Sequence, residues 1–321
     1  MKGKMIQLGL ILPCYNEEEV LPGSFARLSD FFDELIAEGR ISRDSFMLFV
    51  NDGSRDATWQ MIRNRAKEDS RVRAVSLARN VGSQLANLAG LLTVRDLCDA
   101  AITMDVDLQD SPDAVREMID RAAEGYDVVY GVKVCRKADP WLKRTTAVAF
   151  YKMQRLMGVD AVYNHSEFRL LSHRAIAELA EYPERNFFLR GVCRLLGLRQ
   201  TTVDDVISER QAGASKYNFT KLASLAIDGI TAFSAKPILF IIYLGIAFQF
   251  IGVLMAVYIL VSFFEHYSVS GWASIMLSMW LIGGSLMLSV GIIGLYIAKI
   301  YTEVKRRPLY HIAEAVGLKT E

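Results

Sequence analysis

The chain has 321 residues, a formal net charge of +1 at neutral pH and a hydrophobic share of 52%. This length allows one large domain or two smaller ones, and the balanced charge argues against nucleic acid as a partner. The mean hydropathy of +0.20 is high for a soluble protein, and the excess lies near the C-terminus. Four cysteines lie far apart, without the spacing of a zinc site or a disulfide framework, so we expect free thiols in a reducing compartment.

The N-terminus does not have the pattern of a signal peptide. Lys2 and Lys4 precede an apolar run from Leu8 to Leu12, but this run is too short for a signal-peptide core and stops at Pro13. We therefore expect the first domain to stay in the cytosol.

The first 135 residues alternate between predicted strands and predicted helices. Buried strands are predicted at Leu8 to Leu12, at Phe46 to Val50, at Val72 to Leu77, from Ala101 onward and at Val128 to Val132. Asn16 and Glu19 predict the start of the first helix, with the asparagine as its cap and the glutamate reaching back. Because parallel neighbours need helical crossovers, this order predicts an α/β fold with a mostly parallel, doubly wound sheet and flanking helices.

Polar clusters follow three of the predicted strands. They are Pro13 to Glu17, Asp52 to Asp56 and Asp105 to Gln109. Ligands of such sheets bind beyond the carboxyl ends of the strands, so the fold brings these clusters together at one edge. The glycine fingerprint of dinucleotide-binding proteins and the phosphate-binding P-loop are both missing from the sequence, which disfavours those two classes.

Two aspartates, Asp105 and Asp107, stand two positions apart where the fourth strand ends. Hard divalent ions such as Mg²⁺ and Mn²⁺ take one or two carboxylates from the protein, and water and phosphate oxygens complete their shell. The pair therefore predicts a metal-bridged nucleotide diphosphate. A solvated turn is the alternative interpretation of this motif taken alone.

In the middle of the chain, the alternation of strands and helices gives way to amphipathic segments. Residues 140–158 predict an amphipathic helix that either packs on the surface of the domain or lies in the membrane interface. Residues 218–236 have a similar pattern and predict a juxtamembrane helix. Between these helices, Ser166 to Leu170 predicts a short strand, and Ser208 to Tyr217 predicts a loop that carries two cations.

Two long runs without any charged residue follow, from Pro237 to Phe264 and from Trp272 to Ala298. Each exceeds the roughly 20 residues that span a bilayer core, so residues 237–298 predict a hairpin of two transmembrane helices. The connector between them lacks Lys and Arg, whereas Lys residues precede the first span and a basic cluster follows the second. This bias places a catalytic domain of residues 1–217 and a tail of residues 299–321 in the cytosol.

Six short motifs, in order, resemble one known family. They are Pro13-Cys14-Tyr15-Asn16-Glu17, Asn51-Asp52-Gly53-Ser54-Arg55-Asp56, Arg79-Asn80-Val81-Gly82, Asp105-Val106-Asp107-Leu108-Gln109, Phe168-Arg169-Leu170 and Ser215-Lys216-Tyr217. With the two C-terminal spans, the chain resembles the family 2 glycosyltransferases that act on polyprenyl phosphate, such as dolichyl-phosphate mannose synthases and bacterial bactoprenol glucosyltransferases. The resemblance covers almost the whole chain. It implies a Rossmann-like GT-A fold, a nucleotide-sugar donor, Mg²⁺ or Mn²⁺ as cofactor and inverting transfer to a lipid phosphate.

The resemblance also implies roles for residues at the donor site. The segment that lines the nucleotide corresponds to Pro13, Tyr15 and Glu17, and the acid that reads the base corresponds to Asp52. The residues implied for the metal and the diphosphate are Asp105, Asp107 and the neighbouring Gln109.

The catalytic groups implied by the resemblance are Asp107, Glu167, Arg210 and Lys216. The two cations match the loop that closes over the diphosphate or the acceptor phosphate. The family often has Gly-Asp where this chain has Ser166-Glu167, so a base role for Glu167 depends on a longer carboxylate. A phosphate acceptor is already an anion and needs little general-base catalysis, so Glu167 acts either as a base or only as an orienting group.

A lipid phosphate must be held between the donor site and the predicted interface helix, where basic residues are frequent. The residues predicted to bind it are Lys133, Arg136, Arg169 and Ser215. A solvated basic face is the alternative interpretation of this stretch.

The predicted reaction is sugar transfer to undecaprenyl or dolichyl phosphate at the cytosolic face of a membrane, which for a bacterial protein is the inner membrane. UDP-glucose is the first expectation for the donor by analogy alone, with mannose, galactose and N-acetylglucosamine open. The resemblance further suggests a homo-oligomer such as a tetramer.

Three other functions stay open. A processive polysaccharide synthase shares the fold, although such enzymes carry Gln-x-x-Arg-Trp and more spans than this sequence has. A non-catalytic membrane scaffold would keep the fold, although Asp52, Asp105 and Asp107 are all present. A channel or transporter subunit would carry charges inside its spans, and the two apolar runs contain none.

Overall fold

The structure of the protein is a computed structural model. The structure describes residues 5–133, 165–206 and 271–318, together with single helical residues between 238 and 261. The predicted interface helix at 140–158, the cationic loop at 208–217, the juxtamembrane helix at 218–236 and most of the first predicted span lie outside the described residues.

An eight-stranded sheet forms the centre of the described domain, in the order β7-β5-β6-β4-β1-β2-β3-β8. Its strands are β1 (Leu8–Cys14), β2 (Phe46–Asn51), β3 (Val72–Leu77), β4 (Ala100–Thr103), β5 (Val128–Lys133), β6 (His165–Ser172), β7 (Gln200–Asp205) and β8 (Ile312–Val316). The pairs β1 with β2, β1 with β4, β2 with β3 and β5 with β7 are parallel, whereas β6 and β8 run antiparallel to their neighbours. The predicted mixed, mostly parallel sheet is confirmed.

Helices cover both faces of this sheet. They are α1 (Leu21–Ala37), α2 (Thr58–Glu68), α3 (Ser83–Val94), α4 (Pro112–Ala123), α5 (His173–Ala180) and α6 (Leu189–Leu195), followed by α7 (Trp272–Lys305). One core cluster contains side chains of α1, α2 and α4, and a second contains those of α3, α5 and α6. Because both faces are covered, β1 and β2 are buried along almost their whole length, which explains their continuous apolar sequences.

The predicted start of the first helix is wrong. Helix α1 begins at Leu21 after Val20, and no side chain caps it. Asn16 instead adopts a left-handed backbone conformation with φ of 53°. Its Oδ1 accepts a hydrogen bond from the backbone N–H of Arg55 at 2.9 Å, so the side chain ties two loops together rather than capping a helix.

The tail after α7 returns to the sheet, which the sequence analysis did not predict. Strand β8 pairs antiparallel with β3 and covers what would otherwise be an open edge. The backbone N–H of Ala78 donates to the carbonyl of His311 at 2.9 Å, and Trp59 Nε1 donates to Glu314 Oε2 at 3.0 Å. The C-terminal end of α7 is therefore anchored to the same domain that carries the first strands.

Helix α7 has 34 residues, and its segment Ile282–Lys305 is long and apolar enough to cross a bilayer. Its most apolar window of 18 residues has a mean hydropathy of 1.6 and is not buried against the part of the chain that the structure describes. At about 1.5 Å per residue it exceeds the hydrocarbon thickness of about 30 Å. Within the described part of the chain it is one candidate span, so the two-helix hairpin stays a prediction.

Candidate functional site

The carboxyl ends of β1, β2 and β4 bring the predicted polar clusters together at one edge of the sheet. The backbone N–H of Asp52 donates to the Cys14 carbonyl at 2.8 Å, and the N–H of Asn16 donates to Ser54 Oγ at 3.0 Å. Burial raises the pKa of the Cys14 thiol well above its ordinary value, and the nearby charges of Glu17 and Asp105 raise it further. The predicted convergence of these strand ends is confirmed.

Asp52 binds the loop that follows β3. Its Oδ1 accepts from the backbone N–H of Val81 at 2.7 Å, and its Oδ2 accepts from the N–H of Gly82 at 2.9 Å and from Asn80 Nδ2 at 3.0 Å. Burial raises the pKa of Asp52, against the opposing effect of these N–H groups and of the Arg79 charge. With 3% of its surface exposed, Asp52 organises the loop of residues 79–82.

Gly53 is the residue that lets this loop approach the turn after β2. It has a φ of 63°, and a Cβ atom at this position would lie 2.6 Å from backbone atoms of Arg79 and Asn80. Any other residue would push the two loops apart. The Asp-Gly pair therefore joins two strand ends into one unit.

The turn of residues 105–109 separates apolar from polar side chains. Val106 and Leu108 are buried in the core between the sheet and the α1 and α4 helices, whereas Asp105 is exposed and Asp107 and Gln109 are half-buried. Leu108 has a φ of 54°, a conformation that costs energy for a non-glycine residue and occurs often at functional sites. Gln109 Nε2 donates to Asp107 Oδ2 at 2.9 Å and holds that carboxylate in place.

The surroundings of Asp105 shift its pKa. Burial by surrounding protein atoms and then the charge of Asp107 raise its pKa to about 6, although part of the residue is exposed to solvent. The charges of Lys133 and Arg190 oppose this shift, and that of Glu167 adds to it. Four other ionisable groups therefore lie within electrostatic reach of Asp105, and such clusters of perturbed groups are frequent at functional sites.

Two buried carboxylates lie beneath the same turn. Asp110 Oδ2 accepts from the N–H of Asp105 at 3.4 Å, and Asp205 Oδ1 accepts from the N–H of Ser111 at 2.9 Å. Burial and the charges of Asp105 and Asp205 raise the pKa of Asp110 well above its ordinary value. Negative charge is concentrated here, and a bound cation would relieve the repulsion.

Glu167 lies beside Asp105 because of the register between β4 and β6. Thr103 pairs with Arg169, and continuing this antiparallel register past the last pair sets Glu167 opposite Asp105. Its Oε1 accepts from Arg190 Nε at 2.7 Å, and its Oε2 accepts from Arg169 Nη2 at 3.0 Å. A carboxylate held by two guanidinium groups is better suited to orienting them than to accepting a proton.

Arg169 does not fit its predicted contact with a lipid phosphate. Its side chain is fully buried, and besides Glu167 it contacts the carbonyl of Leu189 and the sulfur of Cys193, each at 3.5 Å. A guanidinium enclosed by protein is not accessible to a lipid headgroup. The correction is that Arg169 supports Glu167 from inside the domain.

Arg190 is a site residue that the sequence analysis missed. It is the second residue of α6, a seven-residue helix that was not predicted, and it belongs to no motif. Its position beside Asp105 arises only when α6 packs near β6. No local signal in the sequence indicates this placement.

The remaining predicted residues divide into two groups. At the described edge, Pro13, Tyr15 and Glu17 are half-buried at the end of β1, and Lys133 ends β5 near Asp105. The residues outside the described chain are Arg136, Arg210, Ser215 and Lys216.

The acidic side chains fit a hard divalent cation bound together with a diphosphate. Among the described residues there is no group of three or more histidine, cysteine or acidic side chains arranged to hold a metal. Asp105 and Asp107 alone provide the two carboxylates that Mg²⁺ or Mn²⁺ takes when phosphate oxygens and water complete the shell. The fold and this edge together define an α/β protein whose candidate site is the acidic edge at the carboxyl ends of its parallel strands.

Comparison with known proteins identifies the family. Residues 10–180 match the family described as Glycosyl transferase family 2. The uncharacterized glycosyltransferase YkoT of Bacillus subtilis is 41% identical over 97% of this chain and 93% of the relative. The SfII prophage-derived bactoprenol glucosyl transferase of Shigella flexneri is 34% identical over 97% of this chain and 98% of the relative. The chain belongs to glycosyltransferase family 2 and is a glycosyltransferase.

Solved structures match at a greater distance. The mannosyltransferase PcManGT from Pyrobaculum calidifontis, in complex with GDP-Man and Mn²⁺, is 14% identical over 95% of this chain and 88% of that chain, with a TM-score of 0.44. A likeness at this distance does not bear on the substrate of the present chain.

Proposed function

We propose that the protein transfers a sugar from a nucleotide diphosphate sugar, with UDP-glucose as the first candidate, to polyprenyl phosphate at the cytosolic face of a membrane. The observation that carries this proposal is the nearly full-length match to relatives named bactoprenol glucosyl transferase, which includes the C-terminal region as well as the family domain. The product is a polyprenyl-phosphate monosaccharide with inverted configuration at the transferred sugar.

The donor site consists of the strand ends around Asp105. Asp105 and Asp107 hold Mg²⁺ or Mn²⁺ together with the diphosphate, and Gln109 keeps Asp107 in position. The metal, when bound, supplies positive charge for the leaving diphosphate. The nucleotide lies along the end of β1, where Pro13, Tyr15 and Glu17 stand, and against the loop that Asp52 holds.

The protein's own cations assist the departure of the nucleotide. Negative charge grows on the diphosphate as the glycosidic bond breaks, and preorganised positive groups stabilise that charge. Lys133 and Arg190 lie within electrostatic reach of Asp105. Glu167 orients Arg190 through the 2.7 Å bond to its Nε. Because the acceptor phosphate is already anionic, this site works without a strong general base, and orientation is the role we assign to Glu167.

The acceptor explains the membrane segment. Each CH₂ of a polyprenyl chain costs about 0.8 kcal/mol to expose to water, so the enzyme has to reach the lipid at the bilayer. Helix α7 leads from the candidate span back to strand β8 of the catalytic sheet. We assign the acceptor phosphate to the basic segments around Arg136 and around Arg210, Ser215 and Lys216. A second span before α7 and assembly into a homo-oligomer such as a tetramer belong to the same proposal.

The test is a transfer assay with the full chain purified in detergent. The protein is incubated with Mg²⁺ or Mn²⁺, a short polyprenyl phosphate and one nucleotide sugar at a time, and the lipid product is analysed by mass spectrometry. We expect one nucleotide sugar to give a lipid-linked monosaccharide. Asp107→Asn, which keeps the shape of the side chain and removes its charge, should reduce turnover at least about a hundredfold.

Asp113→Asn is the matched control, because Asp113 lies at the start of α4 with a side chain that is 93% exposed. Its turnover should equal that of the natural protein. Full turnover in Asp107→Asn would refute the donor site, whereas no product from any nucleotide sugar would favour the membrane-scaffold alternative.

A further inference from the structure

A cavity of about 290 Å³ lies where the C-terminal end of α7 meets the domain that carries the sheet. Its walls come from three separate parts of the chain: the loop after β3 with the start of α3, the segment before α6, and the end of α7 with the residues that follow it. Four of the lining side chains are cations, namely Arg79, Arg185, Lys305 and Arg307. No acidic side chain lines this cavity in the described part of the chain.

None of these four cations forms a direct salt bridge with an acidic side chain among the described residues, although the charges of Arg79 and Arg185 act at longer range on Asp52 and Glu303. The Nε of Arg185 is buried and has no hydrogen-bond acceptor there. Glu303, two residues before Lys305 on α7, accepts hydrogen bonds from the backbone N–H of Arg185 and from the side chain of Asn186. Lys305 stacks on the ring of Tyr301 with its Nζ 4.1 Å from the ring centre. Like charges gathered in a cavity repel one another, and a bound anion removes that repulsion.

The position of the cavity indicates the source of the anion. Lys305 is the last residue of the candidate span, so the cavity begins where apolar helix surface gives way to charged residues. Arg306 ends the helix in a left-handed conformation with φ of 46°, and Arg307 and Pro308 lead away toward β8. At the end of a membrane span this level is occupied by lipid headgroups, whose phosphates accept charge-assisted hydrogen bonds from arginine.

We propose that this cavity binds the phosphate group of an anionic membrane lipid. The bound phosphate bridges α7 to the catalytic domain through Arg185 and Arg79. Arg79 is the first residue of the loop that Asp52 holds at the donor site, so the lipid reaches one wall of that site. The proposal rests on the proposed function only for the insertion of α7 in a membrane, and lipid binding is measured without any glycosyl transfer.

Native mass spectrometry of the full chain in detergent tests the proposal. The protein is titrated with phosphatidylglycerol, with phosphatidylcholine, with polyprenyl phosphate and with soluble glycerol phosphate. We expect a saturable complex with one phosphatidylglycerol, at least about tenfold tighter than with phosphatidylcholine, whose choline cation the four cations repel. Displacement of that lipid by an equal concentration of polyprenyl phosphate would make the cavity an acceptor site instead and would overturn the proposal.

Arg307→Gln and Arg306→Asn are the matched variants. Both remove one positive charge from neighbouring exposed residues, but only Arg307 lines the cavity, and asparagine tolerates the left-handed conformation of Arg306. Arg307→Gln should weaken the binding of phosphatidylglycerol about tenfold, and Arg306→Asn less than about twofold. Equal losses in both variants, equal binding of the two phospholipids, or equally tight binding of soluble glycerol phosphate would overturn the proposal.

Discussion

Asp52 follows strand β2 and Asp105 follows strand β4 of the same sheet, yet the charges of these two carboxylates have opposite roles. Asp52 is buried, and three hydrogen bonds from the loop of residues 79–82 surround its carboxylate. Asp105 is exposed at its surface and accepts no such set of bonds from the described residues, while burial by surrounding atoms and then the adjacent charge of Asp107 raise its pKa to about 6. The carboxylate of Asp52 stabilises the protein's own backbone. The charged form of the Asp105 carboxylate is disfavoured by its surroundings, and a bound cation would stabilise it.

From this difference we propose a division of the acids at this edge into structural acids and ligand-binding acids. A buried carboxylate with satisfied bonds supports the fold, and its loss leaves donors without acceptors. A carboxylate that repels its neighbour reduces stability and is retained for what it binds. Glu167 belongs with Asp52 by this criterion, because Arg169 and Arg190 both bind it.

The largest expected effect is that of Glu167→Gln on stability. This substitution leaves the fully buried guanidinium of Arg169 without its charged partner, and breaking a buried pair in this way costs about 3–5 kcal/mol. The melting temperature in detergent should fall, and Glu178→Gln on the exposed side of α5 serves as the control. An unchanged melting temperature would place Glu167 with the ligand-binding acids instead.

Asp105→Asn should show the opposite combination. Turnover is expected to fall about 10²- to 10³-fold, because several kcal/mol of charge stabilisation depend on the metal that this carboxylate holds. The melting temperature should not fall at pH 7.5. A pKa raised to about 6 means that the folded protein disfavours the charged form, so a neutral side chain removes a repulsion. A decrease of the melting temperature together with normal turnover would reverse the roles of Asp105 and Asp52.

The smallest effect is expected for Asp52→Asn. An amide directs N–H groups at the backbone donors of Val81 or Gly82, so at least one bond is lost at a cost of about 1–3 kcal/mol. The melting temperature should drop by a few degrees, and the KM for the nucleotide sugar should rise more than kcat falls, since the loop loosens. Asp44→Asn, an exposed acid before β2, provides the baseline. A fall in kcat alone would mean that Asp52 acts in the chemical step.

The parallel strands and the convergence of their ends were predictable because the information is local. β1 and β2 have continuous apolar sequences, and the alternation of strands with helices leaves few topologies for a parallel sheet. The turn-forming residues after each strand then had to meet at one edge. The aspartate pair at the end of β4 was recognisable for the same reason.

The mistaken cap at Asn16 illustrates the limit of such reasoning. The pattern of asparagine and glutamate is common at helix starts, but the same side chain binds a backbone N–H of the neighbouring loop equally well. Which partner it takes depends on the loop after β2, which is distant in sequence. The fully buried position of Arg169 likewise depends on the packing of α6 over β6.

Fold class, the location of the site and the carboxylate pair were determined by the sequence itself, through hydrophobic periodicity and through residues that neighbour each other along the chain. Tertiary structure alone decided which carboxylates are paired. The register of β6 against β4 places Glu167 beside Asp105, the short α6 helix supplies Arg190, and the segment that joins α7 to β8 meets the loop after β3 at the cationic cavity. The physical reason is that burial and charge pairing depend on residues that meet only when distant segments pack together.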